Sequence, residues 1–322
     1  MRSITEADSD DLDWGTYEAV QAVPAKTLVN PMQSVEVRPA LLIPNAKRLD
    51  QFPAFFARSA LFRCGAKDNT LHTDLPIKAQ GEYHIQLSGP RLSMHDKLVY
   101  ESVIQLAKAN VLDVHTPLVT SQLAVLKQMG WRDRSSKSLT WLNDSLWRLT
   151  HSHVSITLSK DAYSGHLLQE ATVSSTGLLI TFDPDFIVPA LSRDLQFKGN
   201  PQVRRNLHLT LAQWLYDFLS THSESRNLTV GYLREISGFQ GPARQFPSRL
   251  RSALDELVTM STPLITGYRL TKGTRRSDSW TLLLDRSAGV SPEFTSPPRL
   301  NTNASKAMTF KGQPARRGGV AL

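Results

Sequence analysis

The feature that most constrains this chain is an order of predicted elements that occurs twice. Each run reads as a helix, a short strand, two further helices and a pair of strands. The second run opens with a helix predicted over 208–221, in which apolar residues recur at helical spacing. The first run starts near residue 76. Because this order is that of a winged helix, the sequence predicts an α+β fold with two tandem winged-helix domains and disordered N- and C-terminal tails.

Individual elements of the first run follow from caps and periodicity. Ser93 can cap a helix whose first turn holds Asp96, where a carboxylate suits the helix dipole. We also expect a strand over 77–87, helices over 120–129 and 136–149, and a hairpin formed by 154–158 and 171–182. The last of these is the predicted wing.

The second run has clearer boundaries. A helix over 230–237 stops at Gly238, and a longer helix over 243–260 repeats leucine at spacings of three and four. Strands over 264–270 and 279–285 then flank a basic loop. The predicted domain limits are 1–50 for a mostly disordered arm, 51–190 for the first winged helix, 191–287 for the second, and 288–322 for a disordered basic tail.

Charge indicates the class of partner. The 322 residues carry a formal net charge of +8, and residues 1–18 alone carry −5, so the remainder carries +13. A basic surface of this kind favours a polyanion. Cys64 is the only cysteine, which leaves neither a disulfide nor a thiolate metal cluster. We find no membrane-spanning run and no signal peptide, and therefore expect a cytoplasmic protein.

The helix predicted over 243–260 is the strongest candidate for reading DNA. With Leu250 facing the core, the opposite face holds side chains that can bond base edges or phosphates. These are Arg244, Gln245, Ser248, Arg251 and Ser252. The following loop adds Lys272, Arg275 and Arg276, and Arg204 and Arg205 precede the domain's first helix. The alternative is an ordinary solvated helix face.

The equivalent helix of the first domain is less basic. Its predicted DNA contacts are Lys137 and Arg148, with Arg132 and Arg134 in the preceding turn. Trp141 and Trp147 also lie on this helix, and either local packing or a subunit interface explains them. Together with the apolar segment 51–62, they are the predicted contacts of a homodimer.

Enzyme signatures are absent, so we expect no catalytic residues, no cofactor and no metal. The sequence has no phosphate-binding G-x-x-x-x-G-K-[ST] loop and no zinc-type ligand spacing. His151-Ser152-His153 resembles the histidine pair of rolling-circle nickases, but the middle residue is not bulky and apolar. A nickase is therefore the least favoured alternative.

Several segments resemble, in the same order, those of the TrfA-type plasmid replication initiators. The likeness covers about 57–286. The matching stretches are Ala57 to Phe62, Ser88-Gly89 with the Leu92, Asp96 and Leu98-Val99 that follow, Met129-Gly130-Trp131, and Tyr216 to His222.

The resemblance implies a plasmid initiator that binds double-stranded origin repeats (iterons), opens the origin and recruits the host helicase and initiator protein. It also implies a homodimer, in the absence of DNA, that limits copy number. Family members can carry a sliding-clamp peptide upstream, but Gln51 to Phe56 matches it poorly. The alternative function is a winged-helix transcriptional repressor that does not open DNA.

Overall fold

The computed structural model describes residues 43–44, 47–66, 68–110, 113–158, 161–175, 177–192, 196–222, 228–271, 281–286 and 294–295. All of them belong to one compact unit, which begins at Ala40. The structure is α+β, as the sequence predicts. Among the helices in these ranges, none combines the length and apolar character needed to cross a membrane.

Strands dominate the first half of the chain. Its elements are β1 (Gln51–Pro53), β2 (Phe62–Arg63), β3 (Asp68–Ile77), β4 (Tyr83–Ser93), α1 (Met94–Ala109), β5 (Leu118–Thr120), α2 (Gln122–Gln128), α3 (Ser136–Thr150), β6 (His153–Leu158), β7 (Asp161–His166), β8 (Glu170–Ser174), β9 (Gly177–Thr181) and α4 (Pro184–Ser192).

The second half contains four helices and five short strands among the described residues. Its elements are β10 (Gln196–Lys198), α5 (Pro201–Arg205), α6 (Thr210–Ser220), β11 (Leu228–Thr229), α7 (Val230–Ile236), α8 (Phe246–Val258), β12 (Ile265–Thr271), β13 (Thr281–Arg286) and β14 (Phe294–Thr295). A 3-10 turn over Ala243–Gln245 leads directly into α8.

Both halves contain the winged-helix order. In the first, α1, α2 and α3 accompany a three-stranded sheet in the order β5-β9-β8; in the second, α6, α7 and α8 accompany β11-β13-β12. The strand that follows the first helix pairs in each case with the second strand of the hairpin. The predicted fold is therefore confirmed at the level of α+β structure, with the same topology in both halves.

The wing of the first domain differs from the prediction. Residues 154–158 do not pair with 171–182, because β6 lies between β4 and β7 in a separate five-stranded sheet. The wing hairpin is β8–β9. The strand predicted over 77–87 is likewise two strands, since β3 ends at Ile77 and β4 starts at Tyr83. Alternation alone does not reveal the turn between them.

The turn between the second and third helix has the same construction in both domains. Gly130 and Gly238 follow α2 and α7 with positive φ angles of 76° and 63°. The amide of the next residue, Trp131 or Phe239, donates to a carbonyl five residues back, at 2.9 and 3.3 Å. These are Schellman motifs, in which glycine takes the left-handed position without a steric penalty. The turn thereby fixes where α3 and α8 begin.

Segment 51–62 is part of the core, not an exposed interface. Phe52, Phe55, Phe56 and Phe62 are fully buried. β1 pairs with β10, and β10 pairs with β14 beyond the second domain. The strand β10, assigned by sequence to the second domain, thus joins the start of the first domain to a piece of the predicted disordered tail. Burial also removes this segment from the predicted dimer contacts and leaves no accessible clamp peptide in it.

Candidate nucleic-acid interface

Helix α8 presents one apolar and one polar face. Phe246, Leu250, Leu254 and Leu257 are buried, and they fall on one side of the helix. Pro247 occupies the first turn, where its missing N–H costs no hydrogen bond. Because the apolar stripe is anchored in the core, the opposite face points away from it toward solvent.

The exposed face carries every α8-region residue that the sequence assigned to DNA. The exposed polar side chains here are Arg244, Gln245, Ser248, Arg249, Arg251 and Ser252. Serines occupy the middle of the face, with guanidinium groups along both edges. Arginine can bond a guanine edge with two hydrogen bonds and glutamine an adenine edge, while serine is short enough to allow close approach of a helix to a groove.

Arg249 is the residue that the sequence analysis missed. It lies one position before Leu250, about 100° around the helix from it, and an idealised wheel places such a position at the edge of the buried stripe. In the structure Arg249 is exposed and lines a cavity together with Gln240 and Gln245. The basic face is therefore wider than the sequence suggested.

A carboxylate limits the positive charge of this face. Asp255 is exposed and accepts a 2.6 Å hydrogen bond from the hydroxyl of Tyr268 on β12. Partial burial and this bond raise the pKa of Tyr268 to about 12, while the charge of nearby Arg251 acts in the opposite direction. The hydroxyl stays protonated at neutral pH and holds the carboxylate beside the helix. The predicted wing contacts Lys272, Arg275 and Arg276 lie outside the described residues.

The turn before α3 is ordered around one aspartate. Asp133 accepts from the Ser135 amide at 2.9 Å and from the hydroxyls of Ser135 and Ser138 at 2.8 Å. These bonds lower the pKa of Asp133, the Ser135 amide making the largest contribution. Arg132 and Arg134 flank it and are exposed, as is Lys137. Three predicted contacts of the first domain are thus accessible to a ligand.

Arg148 is not accessible, and its assignment to DNA is wrong. Its side chain is 1% exposed and lies between α3 and the start of α1. Its Nε and Nη2 donate to Oδ1 of Asp96 at 3.0 and 2.7 Å. Asp96 also completes the predicted cap, since its Oδ2 accepts from the amide and hydroxyl of Ser93. Arg148 therefore joins two helices.

Arg204 is likewise buried, at 3% exposure, and pairs with Glu101 and Asp217. The prediction that it binds DNA is also wrong. Arg205 is partly buried, and its guanidinium covers Gly130, where an added Cβ would lie 1.6 Å from a guanidinium nitrogen. Burial, and then the charge of Arg204, lower the pKa of Arg205. Arg205 still lines an open cavity between the domains.

The two tryptophans of α3 are largely explained by local packing. Trp141 lies 5.2 Å from the ring of His95 and 6.0 Å from that of Trp131, and Trp147 stacks on His151 at 4.5 Å. Each remains 39% exposed. The local-packing alternative accounts for most of their surface, and the exposed remainder borders the polar face of α3.

Two adjoining cavities lie where the two winged helices meet. The first, of about 410 Å³, is lined by Trp131, Trp141 and Arg205; the second, of about 450 Å³, by Gln245 and Arg249. Both share the residues Gly65, Ala66 and Thr210. Trp141 of α3 and Arg249 of α8 therefore line neighbouring cavities, and Arg205, Gln245 and Arg249 are the predicted or added DNA contacts that border them.

The histidine pair does not have the geometry of a nickase site. His151 caps the C-terminus of α3, where Nδ1 lies 2.8 Å from the carbonyl of Trp147. His153 starts β6 and faces His166, with ring centroids 5.3 Å apart. The two histidines of the motif therefore lie on different elements, not on one face of a strand. Within the described ranges, no group of three potential metal ligands comes together.

Comparison with known proteins gives structural matches only. No family model and no curated protein matches the sequence. Among solved structures, a crystal structure of domains 2 and 3 of RctB matches with a TM-score of 0.46 and 14% identity, covering 73% of this chain and 98% of that one. A second crystal structure of the same two domains gives 0.43 and 16%, covering 72% and 96%. Matches at this level establish neither a family nor an activity.

Proposed function

We propose that this chain is a plasmid replication initiator that binds iteron repeats in double-stranded origin DNA through both winged-helix domains. One observation carries the proposal: a duplicated winged-helix topology presents α8 with an exposed face of arginine, glutamine and serine. A helix of this composition at the end of a helix–turn–helix suits the major groove. The exposed Arg132, Arg134 and Lys137 supply phosphate contacts in the first domain.

Further steps follow from the resemblance to TrfA-type initiators. The bound protein would open adjacent A·T-rich DNA and recruit the host replicative helicase and initiator protein. In the absence of DNA it would form a homodimer that separates on the repeats. Sedimentation of the free protein and of its repeat complex measures this change, and a dimer on each single repeat contradicts it.

Salt dependence tests the core of the proposal. Each phosphate neutralised releases counterions, so the logarithm of the binding constant should fall with the logarithm of salt concentration by about 0.9 per contact. We expect specific binding to a repeat selected from random duplexes, with a steep salt slope. Fluorescence anisotropy measures both. Binding that is indifferent to salt, or equal for selected and scrambled duplexes, refutes the proposal.

A transcriptional repressor remains the second candidate, because the same basic face of α8 would suit a promoter. The two functions differ in what happens to neighbouring DNA. Permanganate reactivity of thymines beside the repeats reports unpaired bases. Reactivity that depends on the protein supports the initiator, whereas tight binding with fully paired flanks supports the repressor.

A further inference from the structure

Four charged side chains are buried together between α1, α5 and α6. They are Lys97, Glu101, Arg204 and Asp217, each at most 3% exposed. The Lys97 Nζ lies 2.7 Å from Oδ2 of Asp217 and 3.8 Å from Oε1 of Glu101. The guanidinium of Arg204 pairs with both carboxylates. Two cations and two anions thus form a closed, neutral cluster, which we call the buried quartet.

The buried quartet lies at the boundary between the two winged helices. Lys97 and Glu101 belong to α1, the first helix of the first domain; Asp217 belongs to α6, the first helix of the second. Arg204 is on α5, just before α6. The Lys97–Asp217 and Arg204–Glu101 pairs therefore cross the boundary, and each domain supplies one partner to each.

Apolar packing and directional hydrogen bonds also cross this boundary, the latter including the pairing of β1 with β10 and a 2.8 Å bond from the Cys64 amide to the Ser237 carbonyl. Trp214 of α6 is fully buried, and its indole N–H donates to the Ser59 carbonyl at 3.4 Å. Apolar contact is non-directional, so two such surfaces can slide or rotate with little loss. A buried charge differs, because any rotation that separates it from its partner leaves it unpaired and without water. The buried quartet therefore admits one orientation of α6 on α1.

The pairing holds Asp217 and Arg204 in their charged forms. Burial disfavours the ionised form of Asp217, but the charges of Arg204 and Lys97 outweigh burial and lower the pKa of the Asp217 carboxyl. Burial also disfavours the charged form of Arg204, but Asp217 and Glu101 outweigh burial and raise the pKa of the guanidinium. The electrostatic attraction within the cluster thus exceeds the cost of burying these two charges.

We propose that the buried quartet sets the spacing of the two DNA segments that the protein reads, by fixing the orientation of α8 relative to α3. The inference rests on the proposed function. Two recognition helices on a rigid body match only sequences whose segments lie at one separation and rotation along the duplex. The members of the buried quartet are therefore positioning residues: they determine which spacing is preferred without touching DNA.

Spacing-shifted duplexes test the proposal. With the full chain and its selected repeat, one or two base pairs are inserted between the two protected segments, and the affinity ratio of native to shifted duplex is measured. Wild type should prefer native spacing at least tenfold. Lys97→Met should bring the ratio towards one. Lys108→Met is the matched control, since it removes an equally buried lysine of α1 whose ammonium binds the backbone carbonyls of Arg48 and Gln51, away from α3 and α8, and it should keep the wild-type ratio.

A second variant covers the case in which Lys97→Met does not fold. The quadruple variant Lys97→Met/Glu101→Gln/Arg204→Met/Asp217→Asn removes all four charges, so that no buried charge is left unpaired and neither ion pair crosses the boundary. If this folded protein keeps the wild-type spacing ratio, or if wild type binds its repeat without spacing preference, the inference is refuted while the proposed function stands.

A measurement without DNA tests the role of the buried quartet independently of the proposed function. Spin labels on Ser136→Cys and Ser252→Cys report the distance between α3 and α8. Wild type and Lys108→Met should give one narrow distribution, and Lys97→Met a broad one. Equal widths in all three refute the inference, whatever the DNA experiments show. Failure of wild type to bind any duplex specifically would instead refute the proposed function.

Discussion

Replacing Arg148 distinguishes a structural arginine from a DNA contact. Arg148→Ala removes both donors to Oδ1 of Asp96, whereas the Ser93 bonds to Oδ2 remain. Asp96 is fully buried, so an ionised carboxylate would be left without a cation or water. Removing one partner of such a pair costs about 3–5 kcal/mol.

Urea unfolding followed by tryptophan fluorescence measures the loss of stability in Arg148→Ala, which should lower the urea concentration at the midpoint of unfolding. The control is Lys137→Ala on the exposed face of the same helix, which should change the free energy of unfolding by less than about 0.5 kcal/mol.

The reasoning fails if Arg148→Ala unfolds at the same urea concentration as the wild type. A variant of unchanged stability with weakened DNA binding would restore the sequence-based assignment. The contribution of the other buried ion pairs to stability, including that of the buried quartet, would then also be smaller than their burial implies.

Two further predictions concern base reading and acid stability. Arg249→Ala and Arg251→Ala should each cost about 1–3 kcal/mol in binding and relax sequence preference, whereas Lys137→Ala should weaken all duplexes alike; an unchanged ratio of selected to scrambled DNA for both arginine variants contradicts the α8 assignment. The lowered pKa of Asp217 means that its contribution is complete above the unfolded-state value of about 3.9 and is lost as pH falls through the folded-state value. Unfolding measured from pH 6 to 2 should therefore show a loss that Asp217→Asn reduces, and identical profiles would contradict it.

The sequence predicted local features well because their causes are local. The Ser93–Asp96 cap depends on residues three apart, and the turns at Gly130 and Gly238 depend on one left-handed position each. The exposed face of α8 follows from leucine periodicity. These signals are complete within a few residues, so no knowledge of distant partners is needed to use them.

The errors concern partners far apart in sequence. Arg148 meets Asp96 across 52 positions, and Arg204 meets Glu101 across 103. A basic side chain on a helix is ordinarily solvated. The residues next to it in sequence do not indicate that a buried carboxylate from another helix will pair with it. One signal was available for Arg148: it adjoins the stripe formed by Leu142, Ser145 and Leu149, all buried. The first wing was misplaced for the same reason, since β6 finds its partners in β4 and β7.

The small sheet β1-β10-β14 has a practical consequence for anyone who divides this protein. Its three strands come from before the first winged helix, from the connection between the two, and from beyond the second. A cut at residue 190 leaves β1 without β10 on one fragment, and on the other it leaves β10 paired with β14 alone. Each fragment would then carry an unpaired strand edge and the exposed ring of Phe52 or Phe197, a combination that promotes aggregation. Aggregation of such halves would result from the position of the cut, and would not indicate whether either half recognises DNA.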